Sequence, residues 1–478
     1  MSITTVEKFP LYIGGEFVET ATYDTVHLPY DGTPVGEVPH GGAAELERAV
    51  AAAREGARAM AAMPNYERAD LLLRIRDLLI RDAEEFTRLI CMETGKPIKE
   101  ARVEASRCTE TLVAAAHEAR QLHGEVVPMD FSATGKGRMA ITVREPLGII
   151  GSITPFNVPL NLALHKLAPA LAAGNSMVHK PSEKTPLSAL RLARTCAEAG
   201  VPKGAYNVIT GDGPALGMAM VRHEDIAMIT FTGSVAIGTS IRASAGLKKV
   251  TLELGNNSAV ILEPDADLKT AVARTTQGAF GQSGQVCISV QRVYAHESVY
   301  STFVEQLKES TEKLKVGHPF EESTDISSLI DESAAVRVKA WIDEAVASGA
   351  KLVTGGDRKR STITPAILTD VPREARLSCQ EVFGPVVAIY PYRNLEDAIA
   401  EVNRTPYGLQ AGIFTNDIAR AFGAARKLQF GGVLINDIPM YRADHMPYGG
   451  MKHSGLGREG PKYAIEEMTE AKIICWKV

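Results

Sequence analysis

Cys287 is the side chain in this sequence best placed for nucleophilic chemistry. It lies in the segment FGQSGQVCIS, which begins at Phe280 and follows what reads as the end of a helix. Gly281 and Gly284 precede the thiol, and glycine allows a tight turn and close approach to a ligand. A cysteine on such a turn is within reach of a substrate. The alternative for an isolated cysteine is a small, buried apolar side chain.

Glu253 and Asn157 supply two further groups that acyl-transfer chemistry uses. Glu253 lies in the apolar run TLELG, where burial would raise the pKa of its carboxyl and suit it as a general base. Pairing with a basic neighbour is the alternative. Asn157, in the segment TPFN, is an amide donor that could stabilise an oxyanion or cap the following helix.

These residues fall at the ends of predicted strands. Strands alternate with helices in the first half of the chain, which is typical of βαβ units in a parallel sheet. Ligands of such sheets bind beyond the carboxyl ends of the strands. The fold class is therefore α/β, with a second α/β unit after about residue 256. The predicted strands are 147–153, 176–179, 206–210, 227–231 and 250–254, then 258–263, 292–296 and 386–391.

Other segments have clear local signals. Residues 11–18 predict a hairpin, and 43–121 have helical periodicity. Thr185 followed by Pro186 predicts the start of a helix that Gly200 ends. The segment 123–145 resembles a projecting β-hairpin. The last predicted strand, 471–478, could complete this arm, including across a subunit interface.

Two segments have features of a nucleotide site. Gly233 to Gly238 opens a helix whose backbone N–H groups can hold a phosphate. Glu183 and Lys180 follow the second strand, where a carboxylate would accept from the ribose hydroxyls and repel a 2′-phosphate, which favours NAD over NADP. A solvated ion pair is the alternative. The run Gly211–Gly213 resembles a dinucleotide fingerprint but fits a structural turn better.

Length and composition bound the class of protein. The 478 residues predict more than one domain, and the composition, 45% hydrophobic with 41 glycines, is that of a globular protein. The net charge of -5 gives no reason to expect nucleic acid. No run reaches the length of a membrane span, and the N-terminal residues lack a signal-peptide core. Six scattered cysteines and eleven dispersed histidines predict no disulfide framework and no metal site, with a cytoplasmic location as the default.

Seven segments, in the same order, resemble the aldehyde dehydrogenase superfamily over nearly the whole chain. They are TPFN (154–157), KPSE (180–183), FTGSVAIG (231–238), ELG (253–255), FGQSGQVC (280–287), EVFGPV (381–386) and PYGGMKHSGLGRE (447–459). One departure is the pair Asn256-Asn257 after ELG, where the family usually has a second glycine or a serine.

The resemblance implies a hydrolytic, NAD(P)-dependent oxidation of an aldehyde to a carboxylic acid. Cys287 would form a thiohemiacetal and then a thioester, which water activated by Glu253 would hydrolyse. Asn157 and the Cys287 backbone N–H would form the oxyanion hole. The cofactor, NAD with NADP possible, would be bound by Thr154, Pro155, Phe156, Lys180, Ser182, Glu183, Gly213, Phe231, Gly233, Ser234, Leu254, Gly255 and Glu381, with Phe383 near the nicotinamide.

The resemblance also implies how the chain is divided. A Rossmann-type cofactor domain would comprise 1–122 and 146–255, with 448–466 returning to it. An α/β catalytic domain would comprise 256–447, and a β oligomerisation arm 123–145 and 467–478. Members of the family are dimers or tetramers, so self-association is expected.

Candidates for the outer end of the aldehyde pocket are basic: Arg107, Arg442 and His445. Together they would favour a small hydroxylated or anionic aldehyde of the lactaldehyde, glyceraldehyde or semialdehyde type. The position of Arg107, three residues after Glu104, also fits an ion pair on a helix surface.

Several alternatives stay open. A CoA-acylating enzyme would not need Glu253 as a hydrolytic base. Dehydrogenases of phosphonoacetaldehyde or, without phosphorylation, of glyceraldehyde 3-phosphate are disfavoured by the apolar Val286 and Val158 beside the site. A cysteine hydrolase or transferase would need a histidine beside Cys287, and none lies in the nearby motifs. A non-catalytic protein with this fold is the remaining alternative.

Overall fold

Two large sheets with mainly parallel strands organise the chain in a computed structural model, which describes residues 6–478. The first five residues of the predicted cofactor domain thus lie outside the described residues. The strands are β1 (Leu11–Ile13), β2 (Glu16–Val18), β3 (Tyr23–His27), β4 (Pro34–Pro39), β5 (Val126–Val127), β6 (Arg138–Pro146), β7 (Ile149–Ile153), β8 (Ser176–Lys180), β9 (Tyr206–Val208), β10 (Ile226–Thr232), β11 (Lys249–Glu253), β12 (Ser258–Leu262), β13 (Val290–His296), β14 (Lys351–Thr354), β15 (Arg358–Lys359), β16 (Thr362–Ile363), β17 (Ala366–Thr369), β18 (Val386–Tyr392), β19 (Gln410–Phe414), β20 (Gly432–Ile435), β21 (Gly455–Leu456) and β22 (Thr469–Lys477).

The helices cover the faces of these sheets and form a bundle near the N-terminus. They are α1 (Ala43–Ala62), α2 (Asn65–Arg81), α3 (Ala83–Thr94), α4 (Ile98–Gln121), α5 (Pro159–Ala172), α6 (Leu187–Ala199), α7 (Gly213–Arg222), α8 (Val235–Ser244), α9 (Leu268–Phe280), α10 (Glu297–Glu312), α11 (Glu332–Ala347), α12 (Arg376–Cys379), α13 (Leu395–Asn403), α14 (Ile418–Lys427) and α15 (Pro461–Glu467). Within residues 6–478, none of them has the length and apolar character that crossing a bilayer requires.

The first sheet has the strand order β2-β1-β9-β8-β7-β10-β11-β21. Its five parallel strands, numbered along the chain, lie in the order third, second, first, fourth, fifth, which is the Rossmann order. Ile153 pairs with Lys180, and Thr232 pairs with Glu253. The motifs that follow β7, β8, β10 and β11 therefore meet at one edge of the sheet, and the predicted α/β fold class is confirmed.

The second sheet has the order β14-β17-β18-β13-β12-β19-β20 and is parallel except for β14. The predicted boundary between residues 255 and 256 falls in the link between β11 of the first sheet and β12 of the second. Helix α9 and the turn that carries Cys287 connect β12 to β13. The position of the thiol is thus set by the second sheet, close to the edge where the first sheet ends.

Apolar periodicity explains the helices near the N-terminus. Leu71, Leu72, Ile75 and Leu79 recur at helical spacing on α2, and all four are buried in one core. The predicted helical region 43–121 is confirmed as α1 to α4, and the predicted hairpin at 11–18 as the antiparallel pair β1 and β2.

The predicted start of helix α6 is wrong. The cap position is Pro186 rather than Thr185, and it has no side-chain cap. The free N–H groups of Leu187 and Ser188 instead donate to the buried carboxylate of Glu93, at 2.6 and 3.2 Å. Gly200 ends the helix in a left-handed conformation, as predicted.

The arm is a three-stranded antiparallel sheet in the order β22-β6-β5. Strand β22 pairs with β6 of the same chain from Thr469–Pro146 to Lys477–Arg138. The last strand therefore completes the arm, as predicted, and its partner strand belongs to the same chain rather than to another subunit.

Gly56 on α1 lies where the helix touches a backbone segment before β9. A Cβ atom at this position would lie 2.2 Å from the Gly204 carbonyl carbon, and backbone cannot move aside as a flexible side chain can. We expect Gly56→Ala to destabilise the protein by about 1–3 kcal/mol, the cost of overpacking. Thermal unfolding would measure this as a lower midpoint.

The matched control is Gly423→Ala on α14, where an added Cβ would meet no heavy atom within 4 Å. Alanine is favoured over glycine in a helix by about 0.5–1 kcal/mol, so this variant should be as stable as the parent or more so. An equal loss of stability in both variants would contradict the packing described for Gly56.

Candidate active site

The turn before Cys287 has a strained backbone. Gln282 and Ser283 adopt left-handed φ values of 51° and 54°, and Gly284 follows with a φ of 72°. Left-handed conformations cost roughly 1–2 kcal/mol for each non-glycine residue. A Cβ atom at Gly284 would lie 2.1 Å from the Gly384 carbonyl oxygen, so this position requires glycine. The predicted tight turn is present, and the surrounding structure must hold it.

Two hydrogen bonds from distant segments hold this turn. The Glu100 carboxylate on α4 accepts the Gln282 backbone N–H, with distances of 2.8 and 3.0 Å to its two oxygens. The side-chain oxygen of Gln285 accepts the Ile330 backbone N–H at 2.9 Å. Strain at the turn is therefore offset by contacts on both sides of it.

The Cys287 thiol is partly accessible and lies 3.0 Å from the Tyr448 hydroxyl. Its apolar neighbours are Val286, Ile288 and Leu409. This burial raises the pKa of the thiol to about 12, while the bond to Tyr448 and the positive charge of Arg442 act in the opposite direction. The alternative of a sealed apolar cysteine is wrong. The partner tyrosine was missed, because nothing in the sequence places Tyr448 next to Cys287.

Asn157 lies beside the same turn. Its side-chain nitrogen donates to the Gln285 carbonyl at 2.8 Å, which leaves the second amide hydrogen free for another acceptor. The capping alternative is wrong, since the side chain does not cap α5. The free Leu160 N–H in the first turn of that helix donates instead to Glu104 at 2.9 Å.

Glu253 ends strand β11 and is buried. Within the described residues, neither of its carboxyl oxygens has a hydrogen-bond partner. Burial, and then the negative charge of Glu459, raise the pKa of Glu253 well above its usual value, against the opposing effects of Arg442 and Lys166. The alternative of a direct basic partner is wrong, and the carboxyl is available to take up a proton.

Lys166 and Glu459 form a buried ion pair next to Glu253, with 2.8 Å between Nζ and Oε1. Lys166 also donates to the Thr232 hydroxyl at 2.9 Å, and Arg442 donates to Glu459 at 3.1 Å. These positive charges hold the pKa of Glu459 far below its usual value. The sequence analysis did not identify Lys166 or Glu459 as site residues. A lysine within the apolar helix PLNLALHKLAPALA could have indicated a buried charge that needs a partner.

Arg442 lies next to the nucleophile, with its guanidinium carbon 3.7 Å from the centre of the Tyr448 ring. Its Nη2 atom is 3.3 Å from Nδ1 of His165, whose Nε2 atom is 2.9 Å from Asp444. His165 is therefore neutral, accepting from Arg442 and donating to Asp444, and burial lowers its pKa.

Arg107 joins this network from α4. Its guanidinium donates to Asp444 at 2.8 and 3.2 Å. The alternative of a surface pair with Glu104 is wrong, because Glu104 is buried against Lys96 at 2.6 Å. His445 is exposed on the loop after Asp444, so the structure brings Arg107 and Arg442 into one network without it.

The predicted ribose residues meet at the carboxyl edge of the first sheet. Lys180 is buried with its Nζ atom 3.3 Å from the exposed Glu183, so of the solvated pair considered as the alternative only the glutamate faces solvent. A Cβ atom at Gly213, the first residue of α7, would lie 2.1 Å from that carboxylate, so Glu183 lies directly beside the start of this helix. Nearby, the Thr154 hydroxyl is hydrogen-bonded to the His179 ring at 2.8 Å, and Pro155 follows Thr154 in the chain. The Ser182 hydroxyl accepts the Lys184 backbone N–H at 3.2 Å.

The predicted phosphate residues lie at the start of α8. Ser234 caps this helix, accepting the Ile237 N–H at 3.4 Å. A Cβ atom at Gly233 would collide with the Phe231 ring at 2.4 Å, and Leu254 packs where a Cβ at Gly238 would lie. The open backbone at this helix start has the features that bind a phosphate.

The predicted nicotinamide residues lie between the two sheets. Glu381 accepts the Asn256 backbone N–H at 2.9 Å, and burial raises the pKa of its carboxyl to about 7. A Cβ atom at Gly255 would lie 2.6 Å from this carboxylate. The rings of Phe156 and Phe383 meet edge to face, with 5.7 Å between their centres. These side chains and the start of α8 are the groups that would hold a dinucleotide.

The departure at Asn256-Asn257 does not project into this space. Both side chains are fully buried. Asn256 donates to the Ser258 hydroxyl at 2.5 Å, and Asn257 donates to the Gln380 carbonyl at 2.7 Å. Elsewhere, residues 6–478 contain no group of three His, Cys, Asp or Glu side chains arranged to hold a metal ion.

Comparison with known proteins agrees with this geometry. A model of the Aldehyde dehydrogenase family matches residues 17–474. The 3-sulfolactaldehyde dehydrogenase of Priestia aryabhattai is 49% identical over 473 residues, which cover 99% of each chain.

Two solved structures have the same fold. Aldehyde dehydrogenase 21 from Physcomitrella patens, in complex with the reaction product succinate, superposes with a TM-score of 0.97 at 40% identity, covering 99% of each chain. The NADP-dependent glyceraldehyde-3-phosphate dehydrogenase from Bacillus halodurans, complexed with NADP, has a TM-score of 0.96 at 37% identity, covering 98% of this chain and 99% of that one. The chain belongs to the aldehyde dehydrogenase family, whose members oxidise aldehydes with NAD(P).

Proposed function

We propose that the protein oxidises a small anionic aldehyde to its carboxylic acid, with Cys287 as nucleophile, Asn157 as oxyanion donor and Glu253 as base. The observation that supports these roles is that the Asn157 amide bonds to the turn that carries Cys287, while Glu253 lies close enough to act on the charge of the Cys287 thiol. The Cys287 thiol is partly accessible, the Asn157 amide bonds to the Gln285 carbonyl at 2.8 Å, and the carboxyl oxygens of Glu253 lack hydrogen bonds.

In the first step the Cys287 thiol loses its proton to water and the thiolate attacks the aldehyde carbon. The carbon–sulfur bond forms as the π bond of the carbonyl breaks and its electron pair moves to the oxygen. The Tyr448 hydroxyl, 3.0 Å from the sulfur, stabilises the thiolate against the cost of burial. The second Asn157 amide hydrogen and the Cys287 backbone N–H donate to the developing oxyanion. NAD(P), when bound, supplies the two-electron oxidation that leaves a thioester on the sulfur.

The second step is hydrolysis of that thioester. Glu253 takes a proton from the attacking water, and the new carbon–oxygen bond displaces the Cys287 sulfur. A raised pKa suits Glu253 to accept this proton, and the desolvated carboxylate has no hydrogen bond to break first. A hydrolytic base placed here favours water over CoA as the acyl acceptor.

We expect Glu253→Gln to form NADH in a rapid burst and then turn over at least about 100-fold more slowly, because acylation needs no base at this position and hydrolysis does. Stopped-flow absorbance of NADH measures both phases. In the parent, hydrolysis should quicken as rising pH deprotonates Glu253, and this dependence should vanish in the variant. An unchanged steady-state rate in the variant would contradict the role of Glu253 as base. So would formation of an acyl-CoA product when CoA is added to the parent.

We also propose that the enzyme prefers NAD. The exposed Glu183 carboxylate lies at the end of β8 beside Gly213, where a ribose would bind, and its charge would repel a 2′-phosphate. The Bacillus halodurans enzyme has the same fold in a complex with NADP, so the fold alone does not decide between the two cofactors.

Glu183→Thr should raise the ratio of kcat/KM for NADP to that for NAD by about tenfold or more, since it removes both the repulsion and a charged hydrogen bond to the ribose. Steady-state kinetics with each cofactor measures the ratio. The matched control is Lys184→Thr, which changes the neighbouring exposed charge. If the ratio stays constant in the Glu183 variant, this residue does not select the cofactor.

The charge of the buried network supports an anionic substrate. Its cations are Arg107, Arg442 and Lys166, while its ionised carboxylates are Asp444 and Glu459. Burial favours the neutral forms of His165 and Glu253, so three cations face two ionised carboxylates near the nucleophile, and an incoming anion can balance the remaining positive charge. The 3-sulfolactaldehyde dehydrogenase and the succinate complex are relatives whose named ligands are anions.

We expect Arg107→Met to lower kcat/KM for succinic semialdehyde by about tenfold or more, the size of one charge-assisted contact, and to leave propanal oxidation unchanged. Parallel assays with the two aldehydes measure this difference. The control is Arg102→Met, earlier on α4, whose exposed side chain pairs with Glu322. Equal losses for the charged and the neutral aldehyde would show that Arg107 does not bind the anion.

Self-association through the arm is a further part of the proposal. Strand β22 is an edge strand of the arm sheet, and it exposes large apolar side chains at Ile473, Ile474 and Trp476. An apolar surface of this kind favours contact with a second copy.

All six cysteines are free thiols, which supports the expected reducing, cytoplasmic location.

A further inference from the structure

Lys96 is a buried cation that lies outside the groups assigned above. It follows the left-handed Gly95 at the end of α3, and its side chain is 3% exposed. The ammonium contacts the Glu104 carboxylate at 2.6 Å, the Asn157 carbonyl at 2.7 Å and the Gln282 side-chain oxygen at 3.4 Å. An ammonium has three donors, so each of them has an acceptor.

These acceptors belong to the two segments that must meet for catalysis. Asn157 precedes α5 of the first sheet, and Gln282 is one of the two strained residues before Cys287. The ion pair with Glu104 would by itself balance the charge of Lys96, and this pair needs no contact with either segment. The ammonium therefore links the oxyanion donor to the nucleophile turn.

The carboxylates of α4 complete this arrangement. The other oxygen of Glu104 accepts the Leu160 and Asn161 backbone N–H groups, at 2.9 and 3.2 Å, which fixes the start of the helix that follows Asn157. One helical turn earlier, Glu100 accepts the Gln282 backbone N–H. One short stretch of chain thus holds both sides of the site.

We propose that Lys96 is a positioning residue, which fixes the Asn157 amide at the distance from the Cys287 sulfur that the oxyanion requires. The inference rests on the roles proposed above for Asn157 and Cys287. It predicts that loss of the ammonium acts on the rate through Asn157, because the Asn157 carbonyl would lose the contact that holds its backbone in place.

A double-mutant cycle tests this inference. The variants are Lys96→Met, Asn157→Ala and the two combined, and the measured quantity is the rate of the first NADH turnover. We expect each single variant to be about 100-fold slower than the parent, as for loss of an oxyanion donor, and the combined variant to be no slower than Asn157→Ala within about threefold. Losses that multiply in the combined variant would overturn the positioning role.

Two further measurements keep the test decisive. Lys96→Met removes the partner of the buried Glu104 carboxylate, and this variant could fail to fold for that reason. In that case the double variant Lys96→Met, Glu104→Gln, which lacks both charges, replaces Lys96→Met in the cycle. NADH affinity, measured by fluorescence titration, should change less than about twofold, since the cofactor edge does not contact Lys96. The control is Lys99→Met, which removes an exposed lysine on α4 that pairs with Asp325.

The outcomes separate this inference from the proposed function. A full rate in Asn157→Ala would overturn the oxyanion role and the positioning role with it. A slow Asn157→Ala beside a Lys96→Met variant of parental rate would leave the proposed function standing and overturn the role of Lys96 alone.

Discussion

The hydrogen bond from the Asn157 amide to the Gln285 carbonyl joins two parts of the chain that are 128 residues apart. One partner follows the first strand of the Rossmann-type sheet, and the other belongs to the turn that presents Cys287. The chemistry proposed for the site needs the thiol, an oxyanion donor and a dinucleotide edge at one place. Lys96 contacts both segments, and Glu100 contacts the turn, so these residues support the same arrangement.

Low polarity around the reacting groups is the second constraint. Burial raises the pKa of Cys287 to about 12 and raises that of Glu253 well above its usual value, so burial favours the neutral form of each group. The positive charge of Arg442 has the opposite effect and favours the ionised forms of Cys287 and Glu253. Ionisation of the nucleophile therefore depends on Tyr448 and Arg442, which act against the effect of burial.

The sequence was sufficient to predict the parallel sheet from the order of its strands and helices. Cys287 and Glu253 could be proposed as site residues because glycines mark the turn and the apolar pattern marks β11. The cap of α6 could not be identified, since Glu93 reaches it from another helix. Tyr448, Lys166 and Lys96 were missed for the same reason, because their partners are distant in the chain and only packing brings them together.

The most direct measurement of the central claim is mass spectrometry of the enzyme quenched during turnover. The tryptic peptide 275–292 contains Cys287 as its one cysteine. With NAD and succinic semialdehyde, the account predicts an acyl group on this peptide, held as a thioester at the sulfur and removed by hydroxylamine. Formation of NADH while this peptide stays unmodified, or an acyl group on a different peptide, would contradict it.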